Sequence, residues 1–151
     1  MTISRRAIAS TLAGAFSPWN LSTPSGETAV QTTTYMLPDR INQTPCVLVF
    51  PPEEDMAYPA GSMRHSDMDW RVRFYLYKLQ DTGRQTDLLY KWLDVLAPAL
   101  DTNVRLGLSS SVHFADVVGM KAGTLTYADE ALDGIEVAVR VRAEEAVSFS
   151  G

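Results

Sequence analysis

Two segments of the chain, 69–79 and 135–143, alternate between apolar and polar residues. Successive side chains of a strand point to opposite faces, so this period of two predicts strands with one buried face. A continuous apolar run, 46–50, lies between Pro45 and Pro51 and predicts a buried central strand. Shorter strands are predicted at 30–35, 112–118 and 124–127.

Apolar residues at helical spacing predict two main helices. Residues 2–16 carry one apolar stripe, and a second stripe runs through 84–96. Pro98 follows the second stripe and predicts the end of that helix, because proline lacks the N–H that a helix interior needs. A separate short helix is possible at 102–110.

Clusters of proline, glycine and small polar residues predict the connections. Residues 17–28 are predicted to be a connector. Residues 51–68 are predicted to be a long irregular loop that begins with two prolines. Such long loops are uncommon in compact domains and usually have a function. Residues 119–124 favour a hairpin turn, and Asp133-Gly134 is a turn dipeptide.

This order of elements predicts one α+β domain over residues 1–151. We expect a mainly antiparallel or mixed sheet of four to five strands, with two main helices packed on one face and the long inter-strand loop between two strands. A chain of 151 residues has the length of a single domain and can bury a full core without disulfides or metals.

Charge and cysteine content narrow the function classes. The formal net charge of −5 argues against nucleic acid as the main partner, which would need a basic surface. The single cysteine, Cys46, excludes an intramolecular disulfide and is expected to be a small buried hydrophobe. No apolar run is long enough for a membrane span, and a secretory signal is not expected at the N-terminus.

Residues suited to catalysis are few. His65, Asp67 and Asp69 lie two positions apart, so they would share one face of a strand and could gather a metal for hydrolysis. A fourth ligand is not evident, and the favoured interpretation is a polar segment that leads into a strand. We therefore expect a non-enzymatic protein without a cofactor, and keep a small metal-dependent hydrolase as an alternative.

The arrangement of arginines suggests an interface. If the two alternating strands pair, four arginines gather on the non-core side of the sheet and two tyrosines extend it. Arginine and tyrosine are enriched at protein interfaces. The alternatives are a solvated face whose arginines pair with Glu136 and other acids, and a contact with nucleic acid. The residues concerned are Arg71, Arg73, Tyr75, Tyr77, Arg140 and Arg142.

The 51–68 segment supplies further candidate contacts. It combines an acidic triplet with methionines and a tyrosine, and methionines form adaptable contact surfaces. A loop folded over the core is the equal alternative. The candidates for an interface with another subunit or with a partner protein are Glu53, Glu54, Asp55, Met56, Tyr58 and Met63.

Four segments follow the predicted N-terminal helix. Their sequences are LPDRINQTPCVLVFPP at 37–52, DWRVRFYLY at 69–77, DTGRQTDLLYKWL at 81–93 and GIEVAVRV at 134–141. Together with that helix they resemble the tail terminator proteins of long-tailed, siphovirus-type bacteriophages, and the resemblance covers almost the whole chain.

The resemblance implies a structural role in the virion. Such proteins form hexameric rings that cap the finished tail tube, stop its polymerisation and join the tail to the head connector. The implied partners are further copies of this chain, the tail tube protein and the connector, while genomic DNA passes through the lumen without specific binding. The implied location is the tail or neck of the virion, with assembly in the host cytoplasm. Another neck, connector or tail-completion protein is the alternative.

Overall fold

The strand with the clearest alternation occupies the middle of a five-stranded sheet in the computed structural model, which describes residues 4–16, 23–24, 27–60, 63–78, 82–108 and 114–146. This strand, β3 (Met63–Lys78), pairs antiparallel with β2 (Cys46–Ala60) on one side and β5 (Glu130–Ala146) on the other. β1 (Thr32–Thr34) adds to β2 in parallel, and β4 (Phe114–Tyr127) adds to β5 antiparallel. The strand order is β1-β2-β3-β5-β4, a mixed sheet.

Two helices pack on one face of this sheet and confirm the predicted α+β class. The first, α1 (Arg5–Ala15), begins at Ser4, whose hydroxyl accepts a hydrogen bond from the Ala7 N–H at 3.1 Å. A serine in this position satisfies a helix N–H that otherwise has no partner. The second, α2 (Thr82–Leu108), contacts α1, β4 and β5.

The core lies between the helices and the sheet, and the alternating residues form its sheet side. Ile135, Val137, Val139 and Val141 are fully buried, as the period of two predicts. From α1 the ring of Phe16 meets the ring of Phe74 edge-on, with centroids 5.1 Å apart. The core residues contributed by β3 are Met68, Trp70, Val72, Phe74 and Leu76.

The prediction of a long loop at 51–68 is wrong, because β2 continues to Ala60 and β3 begins at Met63. Pro51 and Pro52 are tolerated because they sit at an irregularity between Phe50 and Glu53, where the ladder is interrupted. The two strands thus form a long antiparallel pair joined at residues 61–62, which lie outside the described residues. Of the predicted connector, residues 17–22 and 25–26 also lie outside them.

The predicted helix end before Pro98 is also wrong. α2 runs through Pro98 to Leu108 and includes most of the segment predicted as a separate short helix. Proline removes one hydrogen bond from a helix interior. Leu88, Trp92 and Leu96, spaced four residues apart, are buried, and the last two belong to the core and anchor the helix up to this point.

Both predicted turns in the C-terminal half lie inside strands. Residues 119–124 belong to the continuous β4, and Asp133-Gly134 belongs to β5. The turn between these strands is formed by Ala128 and Asp129, both with positive φ, at 49° and 66°. Two positive φ values match the twist of a tight hairpin. Gly134 is not part of this turn. It allows β5 to lie close to β3, because a Cβ there would overlap the carbonyl oxygen of Phe74.

Candidate interface on the arginine face of the sheet

The face of the sheet opposite the helices carries all four candidate arginines, and we call it the arginine face. The register of β3 with β5 places Asp67 opposite Arg142 and Asp69 opposite Arg140. Arg73 lies opposite Glu136 one step further along, so charged residues form two facing rows. The alternation of each strand puts these side chains on one side, as predicted.

Each of the four arginines contacts a carboxylate on the neighbouring strand. Arg142 donates to both oxygens of Asp67, with Nε–Oδ1 at 2.6 Å and Nη2–Oδ2 at 3.0 Å. Arg140 Nε lies 3.5 Å from Asp69 Oδ1. The nitrogen–oxygen distances from Arg73 and Arg71 to Glu136 are 2.7 Å and 3.9 Å. The arrangement is therefore a ladder of opposite charges rather than a basic patch, which agrees with the alternative interpretation in which the arginines pair with Glu136 and other acids.

The pairing changes the acidity of Asp67. Its pKa is lowered, chiefly by the hydrogen bonds from Arg142; burial opposes this effect, and the charges of Arg142 and Arg140 add to it. Stabilisation of the carboxylate by a bidentate guanidinium accounts for this direction.

Replacing Arg142 with glutamine is expected to weaken the acid sensitivity of folding. Because the folded pKa of Asp67 is below its unfolded value of about 3.9, its contribution to stability is complete above that pH. The contribution is lost as the pH falls through the folded pKa. The substitution should lower the free energy of unfolding at pH 6 by at most about 1 kcal/mol, the usual limit for an exposed pair.

Urea denaturation at a series of pH values between 6 and 2 measures this effect. The curve for Arg142→Gln should fall less steeply below pH 4 than that of the parent. Arg71→Gln is the matched control, since Arg71 is 3.9 Å from its nearest carboxylate oxygen and should change the slope little. Equal slopes for Arg142→Gln and the parent would show that the ion pair contributes nothing to acid sensitivity.

The other end of this face is apolar and closed, which corrects the expectation for Tyr75. Tyr75 is fully buried in a small cluster with Leu48, Cys46 and Ile41. Its hydroxyl lies 3.4 Å from Arg73 Nη1, and burial raises its pKa. It is therefore a core residue and unavailable for contact with a partner. Tyr77 pairs with Asp133 in the ladder, but its side chain lies outside the described residues.

Cys46 belongs to the same closed cluster, as expected for a buried hydrophobe. The side chain is only 4% exposed, and burial raises the pKa of its thiol to about 11. A thiol in this state is poorly reactive at neutral pH.

The acidic triplet divides between the two faces of the sheet. Glu54 points to the helix side, where Arg5 donates to both of its oxygens, with Nη2–Oε1 at 2.7 Å and Nε–Oε2 at 2.8 Å. This pair ties the start of α1 to β2. Glu53 and Asp55 point to the arginine face, opposite Asp69 and Asp67 in register.

Beyond Glu54 the β2–β3 pair exposes large apolar side chains. Met56 is 50% exposed, Tyr58 53% and Met63 38%. Exposed apolar groups clustered at one end of a sheet are typical of contact sites. The sequence identified these residues as candidates, although it placed them in a loop.

The alternative metal site is not assembled in the described part of the chain. Asp67 and Asp69 share a face as expected, but their carboxylates are bound by Arg142 and Arg140. Among the described residues no group of three or more histidine, cysteine, aspartate or glutamate side chains is arranged to hold a metal ion.

Two strand edges carry no partner among the described strands, and the sequence did not reveal them. β1 covers only Cys46–Leu48 of β2, so the edge of β2 beyond Leu48 is open. β4 ends the sheet on the other side and exposes Val118 and Met120 along its length. An open edge offers backbone N–H and C=O groups for pairing with another chain.

Comparison with known proteins adds no relative: no protein-family model matches the chain, and no curated protein is significantly similar to it. Within the part of the chain that the structure describes, neither helix has an apolar stretch sufficient to span a lipid bilayer.

Proposed function

We propose that this chain is a structural virion protein, a ring subunit like the tail terminators of long-tailed bacteriophages. In this proposal about six copies form a ring on the end of the tail tube, stop its polymerisation and present the surface that joins the tail to the head connector. The partners are other copies of the chain, the tube protein and the connector, and the DNA crosses the lumen without specific binding.

The observation that carries this proposal is the pair of open edges at opposite ends of one sheet. A contact that joins one of these edges to the other edge of a second copy is head to tail. Head-to-tail contacts produce closed rings when the rotation between copies closes. The free stretch of β2 and the whole of β4 supply the two different edges.

The resemblance in sequence supplies the biological setting for such a ring. It rests on segments that now have defined places: 37–52 enters β2, 69–77 lies within β3, and 134–141 lies within β5. The exposed apolar end at Met56, Tyr58 and Met63 is a surface suited to a neighbouring protein, either the tube or an adjacent subunit.

Native mass spectrometry and negative-stain imaging test the ring. We expect a main species of about six times the 16.7 kDa chain mass, seen as a ring with a central hole. Added to tube protein that is polymerising, the chain should shorten the tubes and appear at one end of each. A chain that stays monomeric with and without tubes would contradict the proposal. Binding to connectors but not to tubes would indicate another neck protein instead of a tail terminator.

A variant separates tube docking from folding. Replacing Tyr58, which is 53% exposed, with arginine should reduce capping of tubes without changing the urea midpoint. Tyr90→Arg is the control, because Tyr90 is 64% exposed and lies on α2 rather than on the β2–β3 pair. If both variants cap tubes as well as the parent does, this end of the sheet does not contact the tube.

A further inference from the structure

Each open edge contains a regular segment that begins after an irregularity in the ladder. β4 has an irregularity between Val117 and Gly119, after which residues 119–127 pair regularly with β5. β2 has an irregularity between Phe50 and Glu53, after which residues 53–57 pair regularly with β3. In both segments the opposite edge has no described strand as a neighbour.

The strand directions allow these segments to pair between two copies in the same orientation. β2 runs antiparallel to β3, β3 antiparallel to β5, and β5 antiparallel to β4, so β4 runs antiparallel to β2. If the next copy continues the sheet beyond β4, its β2 meets β4 as an antiparallel partner. Such pairs are the most easily extended kind of sheet contact.

The side chains of the two segments match in charge and polarity. Lys121 is opposite Glu136 in register and therefore lies on the arginine face, while Met120 lies on the helix side. On β2, Asp55 lies on the arginine face and Met56 on the helix side. One register, with Gly119 opposite Ala57, brings Lys121 against Asp55 and Met120 against Met56.

Within one chain these groups are available for such a contact. Lys121 and Asp55 are exposed and form no ion pair with another described residue, in contrast to the arginines beside them. Met120 and Met56 are 37% and 50% exposed. Opposite charges and apolar pairs directly across two strands are favourable, whereas like charges are not.

We propose that consecutive copies of this chain join through an antiparallel strand pair between 119–123 of β4 and 53–57 of β2 of the next copy, with Lys121 opposite Asp55 of that copy. This contact rests on the proposed ring and names the surface that builds it. Pairing 119–123 with 53–57 leaves the irregularity of β4 at Val117/Gly119 and both irregularities of β2, at Phe50/Glu53 and Ala57/Ala60, outside the paired segment.

A charge exchange tests the contact. Lys121→Asp and Asp55→Lys each place like charges across the pair and should raise the concentration needed for half-assembly at least tenfold in low salt. The double variant restores opposite charges and should assemble within about threefold of the parent. Lys91→Asp is the matched control, because Lys91 lies on α2 and pairs within the helix with Asp87 at 3.6 Å. Urea unfolding of each variant shows how much of any loss of assembly comes from the fold, because Lys121→Asp also faces Glu136 on β5 and Lys91→Asp loses its pair with Asp87.

Cysteine cross-linking tests the register. Lys121→Cys combined with Asp55→Cys should give a ladder of disulfide-linked oligomers under mild oxidation, because both side chains lie on the same face across the pair. Lys121→Cys with Met56→Cys places the thiols on opposite faces and should give none. The native Cys46 is buried and can stay in place.

The outcomes separate this contact from the proposed function. If the charge variants form rings as readily as the parent and no cross-linked ladder appears, the proposed contact is overturned and the proposed ring is not. A monomer that gives no ladder, alone or with tail tubes, overturns both. A ladder together with rescue by the double variant supports both.

Discussion

Among the glycines whose surroundings the structure describes, Gly134 is expected to be the most sensitive to replacement by alanine. Gly134 lies in β5 opposite Tyr75 of the central strand, and a Cβ there would overlap the carbonyl oxygen of Phe74. It would also press on Leu125 Cδ1 at 3.0 Å. Backbone cannot move aside as a flexible side chain does, so we expect a loss of more than about 3 kcal/mol.

Urea denaturation followed by circular dichroism measures this loss, with Gly119→Ala as the control. Gly119 lies in the neighbouring β4, and a Cβ there would meet nothing within 4 Å. The control should change the free energy of unfolding by less than about 1 kcal/mol. If Gly134→Ala were no more destabilising than Gly119→Ala, β3 and β5 would not approach as closely as the structure shows.

Trp92→Ala is expected to detach α2 from the sheet. Trp92 is fully buried at the centre of the stripe that α2 places on the core, between Leu88 and Leu96. Removing a buried tryptophan loses its transfer free energy and leaves a cavity, which together cost about 3–5 kcal/mol. At the upper end of this range a large part of the stability of an ordinary domain would be lost.

The matched control is Tyr90→Ala on the same helix. Tyr90 is 64% exposed, so its truncation removes little contact and should change stability by less than about 0.5 kcal/mol. Thermal and urea unfolding of both variants compare the two aromatic residues in one helix. Equal effects would mean that α2 does not pack on the sheet through the face containing Trp92.

Local pattern predicted the elements whose burial is regular. The period of two in β3 and β5 and the apolar stripe of α1 each correspond to a buried face in the structure. The four arginines fall on one face for the same reason. These predictions succeed because the direction of a side chain depends only on the local backbone period, and the apolar pattern of consecutive residues shows that period.

Strand continuity beyond Phe50 was not predictable from local pattern. Pro51, Pro52 and three acidic residues have low strand propensity, and together they read as a loop. β2 nevertheless continues because β3 lies beside it and a bulge accommodates the prolines. Likewise, α2 passes Pro98 and Gly134 lies within a strand, because packing outweighs the local preference for a break.

For the candidate interface too, some features could be predicted from local sequence and others could not. Sequence alone determined the apolar and polar faces of the central strands, the α+β order of elements and the gathering of the arginines. Only the tertiary structure decided that Asp67 meets Arg142, that Tyr75 is buried, and that β4 and the end of β2 have open edges. Faces follow from the period along one strand, but partners and edges depend on register and strand order, which join residues far apart in the chain.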